Sequence, residues 1–178
     1  MLLRTLARAV AAGARQPGRA ENMKLIVVAV GFRMPRWVDE AYTEYAKRMP
    51  RTARLELVEV RPERREEGRT VAQMLDLEAE RILAALPSRA KTVALDERGR
   101  EFTSAALARW LAGKLEDGID TAFLIGGPDG LSPSLRKNAD ALIRLSALTL
   151  PHGLARVLLA EQLYRAMAIL QGHPYHRE

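Results

Sequence analysis

The chain has 178 residues, 48% of them apolar and 28% charged, which is typical of one globular domain with a sizeable core. It contains no cysteine, and this excludes disulfides, cysteine-bound metals, iron–sulfur clusters and a thiol nucleophile. Lys and Arg outnumber Asp and Glu by 28 to 22, a balance that favours an anionic partner without establishing one. No apolar run approaches the roughly 20 residues of a membrane helix. Because the composition also suits a reducing compartment, we expect a cytoplasmic protein.

The segment from Met1 to Asn22 differs from the rest of the chain. It carries four arginines against the single acid Glu21, and it has no sustained core pattern. Three interpretations are open: a mis-assigned start, a disordered basic tail, or an Arg-rich targeting segment. We favour the first, because a strand-like run begins at once at Met23. The folded domain is therefore predicted to span residues 23–178.

From Met23 onward, apolar runs alternate with stretches of helical periodicity. Five strands are predicted, over Leu25–Val30, Leu55–Val60, Thr92–Leu95, Thr121–Ile125 and Leu145–Leu150. Helices are predicted from near Pro35, from Thr70 to Leu86, from Thr103 or Ser104 to Leu115, from Ser134 to Ile143, and after Pro151 to Leu170. The alternation predicts one α/β domain with a mainly parallel sheet of five to six strands, flanked by helices.

Three predicted strand ends carry unusual residues: Leu95 with Asp96, the loop Gly126–Gly130, and the segment Thr149–Gly153. Ligands of open α/β sheets bind outside the carboxyl ends of the strands. The glycine-rich loop lets a backbone approach a ligand closely, although it is also ordinary turn chemistry. Neither the phosphate-loop spacing nor the dinucleotide-binding spacing of glycines occurs. The three strand ends therefore predict a ligand site of another kind.

The last predicted helix is apolar nearly all round. Such a helix must be covered on more than one side, which predicts packing on the sheet together with a subunit interface. Arg156 lies within it and must find a partner or face a ligand.

All three histidines, His152, His173 and His176, lie in the last 27 residues. Their spacing matches no metal motif, and we expect no metal. A tail that combines Tyr175, His176 and Arg177 can stack on a base and bind phosphate if it folds back over the pocket.

Several blocks of the chain, in order, resemble the ribosomal RNA large subunit methyltransferase H family of the SPOUT class. The blocks are Met23-Lys-Leu, Gly31, Ile125–Leu131, Leu145–His152, Arg156–Ala166 and His173–Glu178. The resemblance implies an α/β fold with a C-terminal trefoil knot, and a homodimer whose active sites lie at the subunit interface. It also implies methyl transfer from S-adenosylmethionine to N3 of pseudouridine 1915 in 23S rRNA, on the assembled 70S ribosome.

The resemblance further implies roles for individual residues. The cofactor pocket would comprise Leu95, Gly127, Ser146, Ala147, Leu148, Thr149, Leu150 and Pro151. The residues facing the RNA would be His152, Arg156, Tyr175, His176 and Arg177. Our hypothesis is that His152 or His176 accepts the N3 proton, or that Arg177 stabilises the developing anion, and the sequence does not choose between them.

Three other functions compete with this interpretation. A non-catalytic ribosome-assembly factor would not need both the glycine loop and the tail. A SPOUT enzyme acting on transfer RNA or another rRNA base would need a different tail. A small-molecule hydrolase would need a nucleophile elbow or a metal set, and the sequence contains neither.

Overall fold

A computed structural model describes residues 23–65 and 68–176 of the chain. The predicted extension from Met1 to Asn22 lies outside the described residues, as does Arg177. The described residues form five strands, β1 (Met23–Val30), β2 (Ala53–Val60), β3 (Lys91–Glu101), β4 (Thr121–Ile125) and β5 (Ala141–Arg144). They form one sheet in the order β2-β1-β4-β3-β5, and every neighbouring pair is parallel. The predicted α/β class and parallel sheet are confirmed.

Helices cover both faces of this sheet. They are α1 (Arg36–Arg48), α2 (Val71–Ala85), α3 (Ser104–Asp117), α4 (Pro133–Asn138) and α5 (His152–Leu170), followed by a 3-10 turn at Pro174–His176. Buried side chains of α1, α3 and α5 form one core with one face of the sheet, and those of α2 and α4 form a second core with the other. Thr70 and Thr103 cap α2 and α3 as predicted, each accepting a hydrogen bond from a backbone N–H of the first turn.

The central strand β1 shows why its sequence is an unbroken apolar run. Leu25, Val27 and Ala29 belong to the core beneath α1, α3 and α5. Ile26 and Val28 belong to the opposite core. Because helices cover both faces, every position of the strand from Leu25 to Val30 is buried, and the alternation of a half-exposed strand is absent.

The prediction of a fifth strand over Leu145–Leu150 is wrong, and the helix predicted from Ser134 to Ile143 is present but shorter than predicted. The helix ends at Asn138, and β5 occupies Ala141–Arg144. In the predicted strand, Leu148 N donates to Ser146 Oγ at 2.9 Å, a local turn that competes with extended pairing. The third strand is longer than predicted, because it resumes pairing with β5 at Arg100 after a register shift that follows Leu95.

Helix α5 is buried along one side and half-exposed along another. Its buried residues include Leu159 and Leu163, whereas Leu154, Val157 and Leu158 are only half-buried. The predicted sheet-facing side is confirmed, and the predicted subunit interface remains a prediction. None of the described helices combines the length and apolarity that crossing a bilayer requires.

Candidate cofactor pocket

A cavity of about 1000 Å³ opens at the carboxyl ends of β3, β4 and β5. The three strand ends singled out in the sequence meet around it. Every residue predicted for the cofactor pocket lines it: Leu95, Gly127, Ser146, Ala147, Leu148, Thr149, Leu150 and Pro151. The parallel order of the sheet explains this convergence, because carboxyl ends that are far apart in sequence lie along one edge.

The segment 145–151 forms one wall of the cavity with irregular backbone. Within the part of the chain that the structure describes, the backbone N–H groups of Ala147, Thr149 and Leu150 have no hydrogen-bond partner. Leu148 is an apolar side chain with 77% of its surface exposed. Free backbone donors beside an exposed apolar side chain suit a ligand that has both polar and apolar parts.

The glycine-rich loop forms a second wall. Gly130 N donates to Gly127 O at 3.0 Å, and Gly130 has a φ of 82°, in the region that favours glycine. A Cβ on Gly126 would lie 2.2 Å from the carbonyl carbon of Gly130, so this turn closes tightly on itself. The carboxylate of Asp129 pairs with Arg65 at 2.8 Å, which ties the turn to the loop after β2.

A third wall is formed by the part of β3 that follows Leu95, where its register with β5 shifts. The Asp96 carboxylate accepts hydrogen bonds from the backbone N–H of Arg98 and from the guanidinium of Arg136, both at 3.0 Å. Burial alone would raise the pKa of Asp96, but these two donors outweigh it and lower the pKa. Asp96 therefore remains an anion held in a fixed position at the cavity.

His152 lines the cavity at the first position of α5. Burial lowers the pKa of its imidazole, and the positive charge of Arg156 lowers it further. The ring is therefore neutral at physiological pH and has a free nitrogen lone pair that can accept a proton.

Arg156 is buried and therefore does not face the RNA, unlike the role that the resemblance implies for it. Its side chain is 1% exposed; its guanidinium pairs with Glu59 at 2.7 Å and donates to Val30 O at 3.1 Å and to Gly31 O at 2.8 Å. The residue thus joins α5 to the carboxyl ends of β1 and β2. Glu59 was missed in the sequence, because no local signal links it to a residue 97 positions later.

Tyr175 packs against α5, away from the cavity of its own chain. Its ring lies 4.7 Å from that of Tyr164 and 4.9 Å from the guanidinium of Arg165, and its hydroxyl donates to Glu161 at 3.2 Å. Burial, reinforced by hydrogen bonds and by the charge of Glu161, raises the pKa of Tyr175 to about 12. From His152 to Glu161 the helix rises by about 14 Å, so tail and cavity are not brought together within one protomer. The side chain of His176 and all of Arg177 lie outside the described residues.

A parallel α/β sheet with a mixed polar and apolar cavity at its carboxyl edge is the arrangement in which α/β proteins bind cofactors and other small ligands. The family model described as "Predicted SPOUT methyltransferase" matches residues 23–176, so the chain belongs to the SPOUT methyltransferase family. Its cofactor is S-adenosylmethionine, the methyl donor of that family.

Known proteins similar to the chain agree with this family. A "Ribosomal RNA large subunit methyltransferase H" of Nitrosospira multiformis is 57% identical over 155 residues, covering 87% of this chain and 99% of the relative. A protein of the same name from Laribacter hongkongensis is 58% identical over 156 residues, covering 88% and 100%. The crystal structure of a probable methyltransferase from Bordetella pertussis Tohama I has the same fold, with a TM-score of 0.56 at 16% identity over 83% of this chain and 98% of that one.

The cavity residues fit S-adenosylmethionine. The free N–H groups of Ala147, Thr149 and Leu150 can bond the adenine and the amino acid part, and Leu95 and Leu150 can enclose apolar surface. Among the residues that the structure describes, no group of three His, Asp or Glu side chains is placed to hold a metal ion.

Proposed function

We propose that this protein methylates N3 of pseudouridine 1915 in 23S rRNA of the assembled 70S ribosome, in the cytoplasm and as a homodimer with a C-terminal trefoil knot. The observation that carries the proposal is the 57% identity to a ribosomal RNA large subunit methyltransferase H over 99% of that relative. Identity of that extent, with every predicted pocket residue around one cavity, supports a shared reaction.

S-adenosylmethionine supplies an electrophilic methyl group at the cavity when it is bound. The residues of this chain hold the donor in position: the segment 146–151 and Gly127 bind it, and the wall around Asp96 limits its orientation. Methyl transfer requires an in-line approach of nucleophile and methyl carbon, so a fixed geometry accounts for much of the rate.

The N3 proton of pseudouridine must leave during the reaction. We assign its removal to His152, because the imidazole lines the cavity and its lowered pKa keeps it neutral at physiological pH. Removing the proton makes N3 a better nucleophile, and the histidine then returns the proton to water. His176 and Arg177 remain the other candidates that the resemblance implies.

The homodimer accounts for the separation of cavity and tail. In one protomer, Tyr175 is anchored beside Glu161, about 14 Å along α5 from His152. A second protomer that packs on the half-exposed side of α5 would place its tail beside the cavity of the first. Arg156 then acts as a positioning residue beneath the site, and Tyr175 with the tail contributes the RNA contacts.

The test is methyl transfer from tritiated S-adenosylmethionine by the full-length protein. Substrates are 70S ribosomes that lack this modification and, in parallel, free 23S RNA; nuclease digestion then locates the label. Label at N3 of pseudouridine 1915 from ribosomes, with little on free RNA, supports the proposal.

Two outcomes would overturn it. Cofactor binding without label on ribosomes would point to another RNA substrate. Absence of cofactor binding would favour a non-catalytic assembly factor.

A further inference from the structure

A basic aromatic patch lies beside the cavity, at the carboxyl ends of β1 and β2. It consists of Phe32, Arg33 and Arg61, and we call it the Phe32 patch. Phe32 follows β1 by two residues and exposes 41% of its surface, whereas Arg61 directly follows β2. Exposure of a phenylalanine ring to water is unfavourable, so the ring offers an apolar surface for binding a partner. The groups around the ring indicate the chemistry of that partner.

Two cations flank the ring. The guanidinium carbon of Arg33 lies 5.6 Å from the ring centroid, and that of Arg61 lies 5.8 Å from it. Neither guanidinium forms an ion pair with an acidic side chain that the structure describes. The patch therefore combines an aromatic surface with two uncompensated positive charges.

Hydrogen bonds hold the backbone beneath the patch. Gly31 N donates to Val60 O at 2.8 Å, and the buried guanidinium of Arg156 holds the carbonyls of Val30 and Gly31. On the β2 side, Arg81 donates to the carbonyl of Arg61 at 3.0 Å.

Arg33 adds backbone strain to this arrangement. Its φ of 56° makes it the one residue other than glycine with a positive φ in the described chain. For a residue with a Cβ this conformation is unfavourable, and such strain concentrates at functional sites.

The patch is also close to the reacting end of the cavity. A Cβ placed on Gly31 would lie 3.8 Å from Cδ2 of His152, which lines the cavity. A molecule bound at His152 that extends toward β1 and β2 therefore reaches Phe32 within about one nucleotide.

We propose that the Phe32 patch binds an unpaired nucleotide of the RNA substrate, next to the base that is methylated. The base stacks on the Phe32 ring, and the guanidiniums of Arg33 and Arg61 pair with its phosphates. Stacking on an aromatic ring and guanidinium pairing with phosphate are two common ways in which proteins hold single-stranded nucleotides. The inference rests on the proposed function, since it assumes an RNA substrate.

The experiment measures binding to 70S ribosomes by co-sedimentation, and methyl transfer to the same ribosomes, for the full-length protein. Phe32→Leu keeps an apolar side chain and removes the aromatic ring, so the dissociation constant should rise about tenfold. Phe32→Trp keeps an aromatic surface and should bind within about twofold of the wild type. Arg33→Ala with Arg61→Ala should lower the slope of log affinity against log salt by about 1.4, as expected for two lost phosphate contacts.

Two control variants test for nonspecific effects. Arg89→Ala removes an exposed cation just ahead of β3, at the opposite edge of the sheet, and Leu83→Ala removes an exposed apolar side chain on α2. Both should bind as the wild type does. Light scattering and calorimetry with S-adenosylmethionine should show that Phe32→Leu leaves the oligomeric mass and the cofactor affinity unchanged.

The outcomes separate this inference from the function on which it rests. Unchanged ribosome binding by Phe32→Leu would overturn the proposal that the Phe32 patch binds RNA, whether or not methyl is transferred. Loss of the oligomer in Phe32→Leu would overturn it too, because the ring would then be a protein contact. Wild-type protein that binds ribosomes through the patch but transfers no methyl would overturn the proposed function alone; wild-type protein that does neither would overturn both.

Discussion

The two edges of the sheet satisfy their backbone groups in different ways. At the amino edge, Asp120 accepts a hydrogen bond from Lys24 N at 2.8 Å, and Asp140 accepts one from Thr92 N at 2.9 Å while pairing with Lys91 at 2.7 Å. At the carboxyl edge, the backbone N–H groups of Ala147, Thr149 and Leu150 have no partner within the described chain. One edge is closed by the protein's own carboxylates, and the other is left open for a ligand.

This difference teaches that stability and binding are assigned to opposite edges. Substitutions at the amino edge should change the free energy of unfolding and spare catalysis, whereas those at the carboxyl edge should do the reverse. Arg156 is the exception, since it is a structural residue beneath the carboxyl edge.

The largest effect is expected at the open edge, from His152→Gln. Loss of the proposed proton acceptor should lower kcat by about 10²- to 10⁴-fold, with unfolding by urea and cofactor affinity unchanged. The wild-type rate should fall with acidity through a midpoint below the ordinary His value of 6.5, because burial and the charge of Arg156 lower the pKa of His152. This acid limb should be missing in the variant. A variant rate within tenfold of the wild type would assign the proton to another residue.

Arg156→Met should be the exception to this division, because it changes stability although it lies at the carboxyl edge. It leaves the Glu59 carboxylate and the carbonyls of Val30 and Gly31 without their donor, so the free energy of unfolding should fall by about 3 kcal/mol. Chemical denaturation measures this change. The matched control is Arg36→Met, which removes an exposed pair with Glu40 and should cost less than about 1 kcal/mol. Equal effects of the two substitutions on the free energy of unfolding would show that the buried contacts of Arg156 do not stabilise the fold.

Asp140→Ala sharpens the comparison from the closed edge. It should lower the free energy of unfolding by about 1–2 kcal/mol and leave kcat per folded molecule unchanged. The hydrogen bond from Lys91, with that from Thr92 N, lowers the pKa of Asp140, so its contribution is present above the ordinary value of 3.8 and is lost as pH falls through the lower folded value.

Urea unfolding between pH 2 and pH 7 checks this dependence. Asp76→Ala, an exposed acid on α2, is the control and should change little. A lower kcat in Asp140→Ala without a loss of stability would contradict the assignment of stability to the amino edge and of binding to the carboxyl edge.

The smallest effect is expected from Gly127→Ala. The new Cβ would lie 3.2 Å from Cγ1 of Val30, so the glycine loop must shift by a few tenths of an ångström. Calorimetry should show a severalfold weaker affinity for S-adenosylmethionine. Gly113→Ala, in the middle of α3, is the matched control, because its new Cβ meets nothing within 4 Å. Alanine is also the better helix former, so this substitution should stabilise the protein by about 0.5–1 kcal/mol. Unchanged cofactor affinity in Gly127→Ala would place the ligand away from this loop.

Much of this architecture could be predicted from local pattern. The unbroken apolar run of β1 and the caps at Thr70 and Thr103 define their elements within a few residues, since burial and capping act locally. The fifth strand could not be predicted in this way. The segment Leu145–Leu150 is as apolar as a strand, but its backbone turns at Ser146. The strand β5 precedes it and pairs with β3 across a register shift in β3, which the local sequence does not indicate.

The candidate site was predictable in its location and less so in its parts. Parallel strands bring their carboxyl ends to one edge whatever their separation in sequence, so the pocket residues follow from the fold class. The surroundings of Arg156 do not follow, because they depend on Glu59 and Val30, which lie on two other elements. A charged residue on an apolar helix signals that a partner exists, without saying whether the partner is protein or ligand.

The length of α5 has a genetic consequence. Because the helix separates the cavity at its start from the anchored tail at its end, each site of the proposed dimer draws on two gene products. One allele defective at His152 and another defective at Tyr175 should therefore complement each other when expressed in the same cell. A quarter of the sites in randomly mixed dimers would combine an intact cavity with an intact tail, while either allele alone would have none.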